Sequence, residues 1–324
     1  MENVLVSVVV PAYNNAPWLP RCLDSLLSQT HRNLEILVVD DGSTDDTRQV
    51  LQEYTSRDPR VVAIHKANGG VTSARLRGVS AAHGEWIGFV DADDEAHPQM
   101  YARLLENARE YGAQISHCGY QVIHPDGRVE YLHNTKVLRP QDNTTGLRDL
   151  LEDKLVEPGL CSKLFRRELF RGLEEKMDLT IRNNEDLLMN YYLFSAAKAS
   201  VFEDVCYYHY LIRKGSASRR KLNEHMIFNP IRVREIIMED VPEELRDDAR
   251  RSFVQACLAI YGQLVLEKDA AYGTYRRQVR EIIVRQKECC PVLSRRNALL
   301  VRMIDVSPWL FRILYPVYAK LTGR

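Results

Sequence analysis

What this chain lacks narrows it first. No stretch approaches the ~20 apolar residues that cross a bilayer, so no membrane-spanning helix is expected. The opening MENVLVSVVVPAYNNAPWLP has neither the basic n-region nor the small-residue cleavage site of a secretory signal. Neither sign of charge is in excess. Lys and Arg number 44, Asp and Glu 44, so no overall field draws the protein to nucleic acid. The seven cysteines are scattered, odd in number and form no C-x-x-C pair. They read as reduced cytosolic thiols, not as a disulfide framework or a zinc site. No G-x-G-x-x-G follows a strand, which counts against a dinucleotide oxidoreductase. No internal repeat or low-complexity tract interrupts the 324 residues, enough for one large domain and a smaller one.

What is present is an alternating pattern. Val4–Val10 is a β-branched run expected to end at Pro11 and suited to a strand buried on both faces. Trp18, Leu19, Cys22, Leu23, Leu26 and Leu27 then recur at helical spacing. Leu34–Val39 is a second strand, followed by a helix that Ser43 or Asp45 could cap. Val61–Ile64 is a third strand, "NGGVTSARLRGVSAAHG" a helix, and Trp86–Val90 a fourth strand. Four strands alternating with three helices predict a parallel α/β sheet, in which ligands bind beyond the carboxyl ends of the strands. The polar clusters at Ala12–Asn15, Asp40–Thr44 and Asp91–Glu95 follow strands directly and should converge on that edge. Further on, helices are expected at Tyr101–Tyr111, Gly146–Leu155 and Glu185–Ala197. "AQISHCGYQVIHPDGRVEYLHN" reads as a hairpin turning at Pro-Asp-Gly, and Val201–Ile212 as another strand. After "RKGSASRRK" the pattern is helical to the end, so the domain change is placed within residues 216–225.

The stretch "GEWIGFVDADDEAHP" poses the chemical question. An apolar strand discharges into Asp91, Asp93, Asp94 and Glu95, whose mutual repulsion costs free energy unless positive charge sits among them. Carboxylates two apart on such a loop can share a hard divalent cation, with a diphosphate completing its shell. The plain alternative is a solvated turn with Asp94 as a helix cap. A carboxylate in "DDGS", Asp40 or Asp41, could accept a hydrogen bond from the imide N–H of uracil or thymine; a turn and cap is again the alternative. Glu185 and Asp186 precede an apolar helix, where the dipole helps keep a carboxylate ionised, or where they merely supply the usual acidic first turn.

Taken together, "VSVVVPAYNNAPWLPRCLDSLLSQTHRNLEILVVDDGSTDDT", "NGGVTSARLRG" and "GEWIGFVDADD" resemble the inverting glycosyltransferase family 2 of bacterial surface-polysaccharide type, over roughly residues 5–215. The resemblance implies a GT-A fold, a Rossmann-like mixed sheet, with a C-terminal helical extension. It divides the chain into a catalytic domain at 1–218, with a nucleotide-binding half (1–98) and an acceptor-binding half (99–218), and a helical region at 219–324. It also implies a nucleotide-sugar donor, Mn²⁺ or Mg²⁺, and displacement with inversion. Carried over by position, Pro11, Ala12 and Tyr13 resemble the loop holding the nucleoside, and Asp40 the carboxylate reading the base. Arg75 resembles a basic residue near base or phosphate, and Asp91-Ala92-Asp93 the D-x-D on ribose and metal. Asp186 resembles the base, with Glu185 as support or acceptor contact. His209, in the Tyr-rich "CYYHYL", could complete the metal shell, and Arg213, Lys214 and Ser216 a clamp on the diphosphate. Lys163 lies in a shared stretch without an assignable role. Leu76 departs from the family, which often has Asn there.

From Pro291 onward six Lys or Arg face a single acid, Asp305, among Trp309, Phe311, Tyr315 and Tyr318. Such a segment can lie on an anionic membrane, or pack on the catalytic domain or a second subunit. Pro308 and Pro316 are expected to break it into short pieces. The expected location is cytoplasmic, or peripheral on the inner face of the plasma membrane, and the acceptor a glycan or lipid-linked hydroxyl in cell-surface polysaccharide assembly. Two rival functions remain in view. A D-x-D phosphohydrolase needs an aspartate loop after the first strand, where this chain has Pro-Ala-Tyr-Asn. A non-catalytic nucleotide-sugar binder or scaffold would keep the metal aspartates and have no use for Asp186.

Overall fold

Continuous apolar runs become strands buried on both faces, as a parallel sheet between helices requires. β1 (Val6–Ala12) buries Val6 through Val10. α1 (Leu19–Leu27) follows, burying Leu19, Cys22, Leu23 and Leu26; full burial of each leucine stabilises by about 1.5–3 kcal/mol. Next come β2 (Leu34–Asp40), α2 (Thr47–Arg57), β3 (Val61–His65), α3 (Val71–Ala81) and β4 (Trp86–Phe89). The computed structural model describes residues 4–132, 134–152, 156–213, 221–267 and 269–322.

Pro11 does not end the first strand. Val9 turns its carbonyl to Val90, on the β4 side, and Ala12 turns its own to Asp41, on the β2 side. Pro11, two residues after Val9, therefore aims its missing N–H towards β4, whose pairing with β1 stops at Val9 and Phe89. No ladder bond is lost there. α3 lies close on this strand: a Cβ on Gly78 would stand 2.3 Å from a Val9 methyl. Arg75, one turn earlier on the same helix, is thereby held near the strand ends.

The chain continues through β5 (Glu95–Ala96), α4 (Met100–Glu110), β6 (Ile115–Ile123), β7 (Val129–Tyr131), β8 (Leu138–Asp142) and α5 (Asn143–Glu152), then β9 (Lys163–Arg166), α6 (Leu173–Lys176), α7 (Glu185–Ala196) and β10 (Ala199–Leu211). Among the described residues ten strands form one sheet of order β3-β2-β1-β4-β9-β6-β10-β5, with β7 on β6 and β8 on β10. The first four strands run parallel. β9 enters antiparallel to both β4 and β6, so the sheet as a whole is mixed.

Residues Leu222–Arg324, with Leu151–Asp153, form a second compact unit. It is built from α8 (Glu224–Asp240), α9 (Arg246–Leu266), α10 (Gly273–Arg285), α11 (Arg295–Val306) and α12 (Pro308–Thr322). Its core includes Ile227, Phe253, Cys257, Tyr261, Ile283, Val301 and Phe311. Pro308 separates the last two helices by starting the second, the first-turn position where its missing N–H costs nothing. Pro316 does not break α12 as expected. Its partner at i−4 is the exposed Arg312, where a carbonyl left without a helical donor is open to water.

Candidate active site

The loops after β1 and β2 are sewn into one surface. Ser43 Oγ accepts from Asn14 N–H at 3.0 Å, Asn14 Oδ1 accepts from Thr44 N–H at 2.8 Å, and Thr47 Oγ1 accepts from Asn15 N–H at 2.9 Å. Asn14 takes a left-handed φ of 54°, a conformation asparagine tolerates. In the sequence Asn14 and Asn15 appear only as part of a polar strand end, with no individual role, although their amides do the stitching. Tyr13 is left 49% exposed, its ring free to stack on a flat ligand, whereas Ala12 is buried and Pro11 half-buried. Asp40 accepts from Ser43 N–H at 2.9 Å and pairs with His65 Nδ1 at 2.9 Å. Burial alone would raise its pKa; hydrogen bonds from Ser43 and His65 outweigh that and lower it. Asp41 accepts from Lys66 Nζ at 2.5 Å and from the amides of Gly69 and Gly70 at 3.0 and 2.8 Å, fixing the turn into α3.

The acidic loop after β4 is compensated from within the chain. Arg75 Nη2 donates to Asp91 Oδ1 at 3.2 Å and Nη1 to Glu185 Oε1 at 3.3 Å. Burial works against the charge on Arg75, but Asp91 and Glu185 more than restore it and raise its pKa. Asp93 pairs with Arg213, whose guanidinium lies 4.0 Å over the Trp18 ring. Even so, burial and the charge of Asp91 keep the pKa of Asp93 raised. Asp94 serves the architecture. It accepts from Tyr208 Oη at 2.6 Å and from Leu211 N–H at 2.9 Å, tying the loop to β10. Ala92, between the two carboxylates, is buried.

Asp186 and Asp91 line one cavity of about 160 Å³ together with Asp94, Glu157, Gly159, Tyr208 and Tyr210. Glu185 and Asp186 occupy the first turn of α7. One oxygen of Asp186 accepts from Leu187 N–H at 2.9 Å. Burial raises the pKa of both carboxyls, with Asp186 adding to the rise at Glu185 and Arg75 opposing it at each. The cavity wall at 157–159 is held by two buried polar side chains. Lys163 Nζ donates to the carbonyls of Glu157 and Gly159, both at 2.5 Å, and burial lowers its pKa to about 8. Asn190 donates to the carbonyls of Pro158 and Gly159 at 2.5 and 3.0 Å. A lysine inside an apolar strand is the signal for the first; Asn190, in the Tyr-rich face of α7, has no signal of its own.

His209 is not brought to the D-x-D. Side chains alternate along β10, so Tyr208 and Tyr210 face the cavity while His209 faces the other way, its ring 6.0 Å from that of His97. Burial and His97 lower its pKa. Lys214 and Ser216 lie outside the described residues. Among those described, no three His, Cys, Asp or Glu side chains gather as a cage for an ion. The pair at Asp91 and Asp93 nevertheless fits a cation that takes most of its ligands from substrate phosphates and water: two carboxylates share one loop, and the partner of Asp93 is the part-exposed side chain of Arg213.

An α/β sheet of this mixed order, with an acidic strand end facing a carboxylate-bearing helix, is the architecture of GT-A enzymes. Residues 7–173 match the family model described as Glycosyl transferase family 2, and the chain belongs to that family. "Uncharacterized glycosyltransferase EpsJ" of Bacillus subtilis is 38% identical over 197 residues, 60% of this chain and 57% of that relative's length. The match thus spans less than two thirds of EpsJ. "Succinoglycan biosynthesis protein ExoO" of Rhizobium meliloti is 25% identical over 311 residues, 93% of this chain and 89% of its own. The crystal structure of S. aureus TarS 1-349 in complex with UDP-GlcNAc superposes with a TM-score of 0.79 at 19% identity, covering 97% of this chain and 91% of that one, a likeness of fold.

Proposed function

We propose that the protein transfers a sugar from a nucleotide-sugar donor, most simply a UDP-sugar, to a hydroxyl of a glycan or lipid-linked acceptor in surface-polysaccharide assembly, with inversion at the anomeric carbon. The observation that carries this reading is that Asp91 and Asp186 line one small cavity, which supports reading the first as a donor-side and the second as an acceptor-side carboxylate. The UDP-GlcNAc held by TarS supports a UDP donor, and ExoO supports the polysaccharide context.

In this mechanism Tyr13 stacks on the base, and Asp40 presents a carboxylate held ionised. Asp91 and Asp93 would hold Mn²⁺ or Mg²⁺, which would supply positive charge against that developing on the leaving diphosphate. Arg213 moves from Asp93 towards the diphosphate as a cationic partner. The acceptor oxygen attacks the anomeric carbon from the face opposite the diphosphate. As that C–O bond forms, the bond to the diphosphate oxygen breaks, and the hydroxyl proton passes to Asp186. Glu185, locked to Arg75, positions the turn that carries the base. Lys163 and Asn190 keep the 157–159 wall in place.

Thermal stabilisation across a panel of nucleotide sugars, with and without Mn²⁺, tests the reading. A UDP-sugar at a hundred times its Kd should add about 2.7 kcal/mol, with release of nucleoside diphosphate on incubation. No response to any nucleotide sugar in either condition overturns it.

A further inference from the structure

α12 is apolar on two sides. Its inner side is fixed within the helical unit: Phe311 is 1% exposed, its ring 5.2 Å from Tyr261 and stacked on Tyr315 at 5.0 Å. Tyr315 in turn lies so close on α9 that a Cβ at Gly262 would come within 2.2 Å of it. That docking determines what points outward. Trp309, Ile313 and Val317, spaced i, i+4, i+8, are 62%, 60% and 57% exposed, and Val306 at the end of α11 is 80% exposed. The three on α12 thus form one outward row. Along the chain from residue 291 to 322 the exposed charges, Arg295, Arg296, Arg302, Arg312 and Lys320, are all positive, and the single acid is Asp305.

We propose that this face is a docking surface for an anionic lipid bilayer, with Trp309, Ile313 and Val317 entering the interface and the cations meeting lipid headgroups. An outward apolar stripe flanked by basic residues, with a tryptophan among them, is how a helix lies in a membrane plane. At about 22 Å its fifteen residues cannot span the ~30 Å hydrocarbon core, and no described helix is long and apolar enough to do so. A second copy fits less well. Four side chains, three on α12 and one on α11, offer on the order of a few hundred Å² per copy, below the ~800 Å² per partner of stable interfaces. A symmetric pairing would also bring the basic flank of one copy, Arg302, Arg312 and Lys320, against the same basic flank of the other.

The test is co-sedimentation of the full chain with vesicles of phosphatidylcholine alone or with ~30% phosphatidylglycerol, in 0.1 M and 0.5 M NaCl. We expect partitioning about tenfold stronger on the anionic vesicles and weakened by the higher salt. Ile313→Glu with Val317→Glu should lower it at least tenfold, and Arg312→Glu with Lys320→Glu about fivefold, at an unchanged melting temperature. Trp309→Phe should retain it. Protein left in the supernatant with anionic vesicles overturns the proposal. So does equal sedimentation of the glutamate variants, or a dimer in light scattering that those variants dissolve, which would assign the face to a second copy. No nucleotide sugar is present, so either outcome is independent of the transferase reading.

Discussion

The strands β2 and β4 both end in clustered aspartates, and the chain treats the two ends differently. After β2, Asp40 and Asp41 accept from the amides of Ser43, Gly69 and Gly70, donors that are part of the backbone and cannot leave. After β4, Asp94 is held in a similar way by Leu211 N–H and Tyr208, but Asp91 and Asp93 face the guanidiniums of Arg75 and Arg213. Arg75 is buried and tied to Glu185 as well, whereas Arg213 is part-exposed, and a long side chain of that kind can exchange its partner where a backbone amide cannot. The first end, which His65 and Lys66 also brace, is therefore finished architecture that presents an ionised carboxylate, and on the proposed reading the second is a site where a ligand replaces the counter-charge at Asp93.

The strongest way to separate the ends is to remove the group that works opposite the second one. Asp186→Asn should lower kcat about 10³-fold while leaving donor affinity unchanged, as measured by transfer rate and by calorimetry on the same sample. Because burial raises the pKa of Asp186 and Glu185, the wild-type rate should fall with decreasing pH at values above the ordinary carboxylate range, since protonation removes the base. That acid limb should vanish in the variant. Wild-type turnover in Asp186→Asn would strike it out as the base. At the finished end the expected loss is in folding. Asp41→Ala strands two amides and a lysine, costing about 2–3 kcal/mol, a fall of roughly 5–10 °C in Tm. A variant that melts like wild type would show that the turn into α3 stands without this carboxylate.

Much of this contrast was legible in the sequence, and the parts that were not have a common cause. The four parallel strands follow from long apolar runs, and the convergence of their polar ends follows from the parallel topology. β8 and β9 escaped because LRPQD and KLFR are too short to show a period, and both are strands only because β10, β4 and β6 offer them edges. In the site, the D-x-D was visible as an excess of like charge, and its internal counter-ions were not. Arg75 lies 16 residues before Asp91 and 110 before Glu185, separations that only the fold closes. His209 drew attention as a metal-binding residue type, yet strand alternation puts it on the face away from Tyr208 and Tyr210. That alternation was available before any coordinates.

The remaining tests are smaller and act on the exchangeable end alone. Asp93→Ala should weaken UDP binding in Mn²⁺ by about tenfold or more, the scale of one lost ligand contact, and leave binding in chelator unchanged. Titration calorimetry in both conditions reads this directly, and an Asp93 variant that keeps its full response to Mn²⁺ would mean that Arg213 is a permanent partner and the two ends are alike. Smaller still is Tyr13→Ala. Its ring is half-exposed beside the finished end, and aromatic–base stacking contributes about 1–3 kcal/mol, the lower figure applying where one face stays in water. UDP affinity should therefore drop about fivefold with and without Mn²⁺ alike, because on the proposed reading the ring meets the base and not the phosphates. A loss seen only in the presence of the metal would place the base elsewhere and make the first end a bystander.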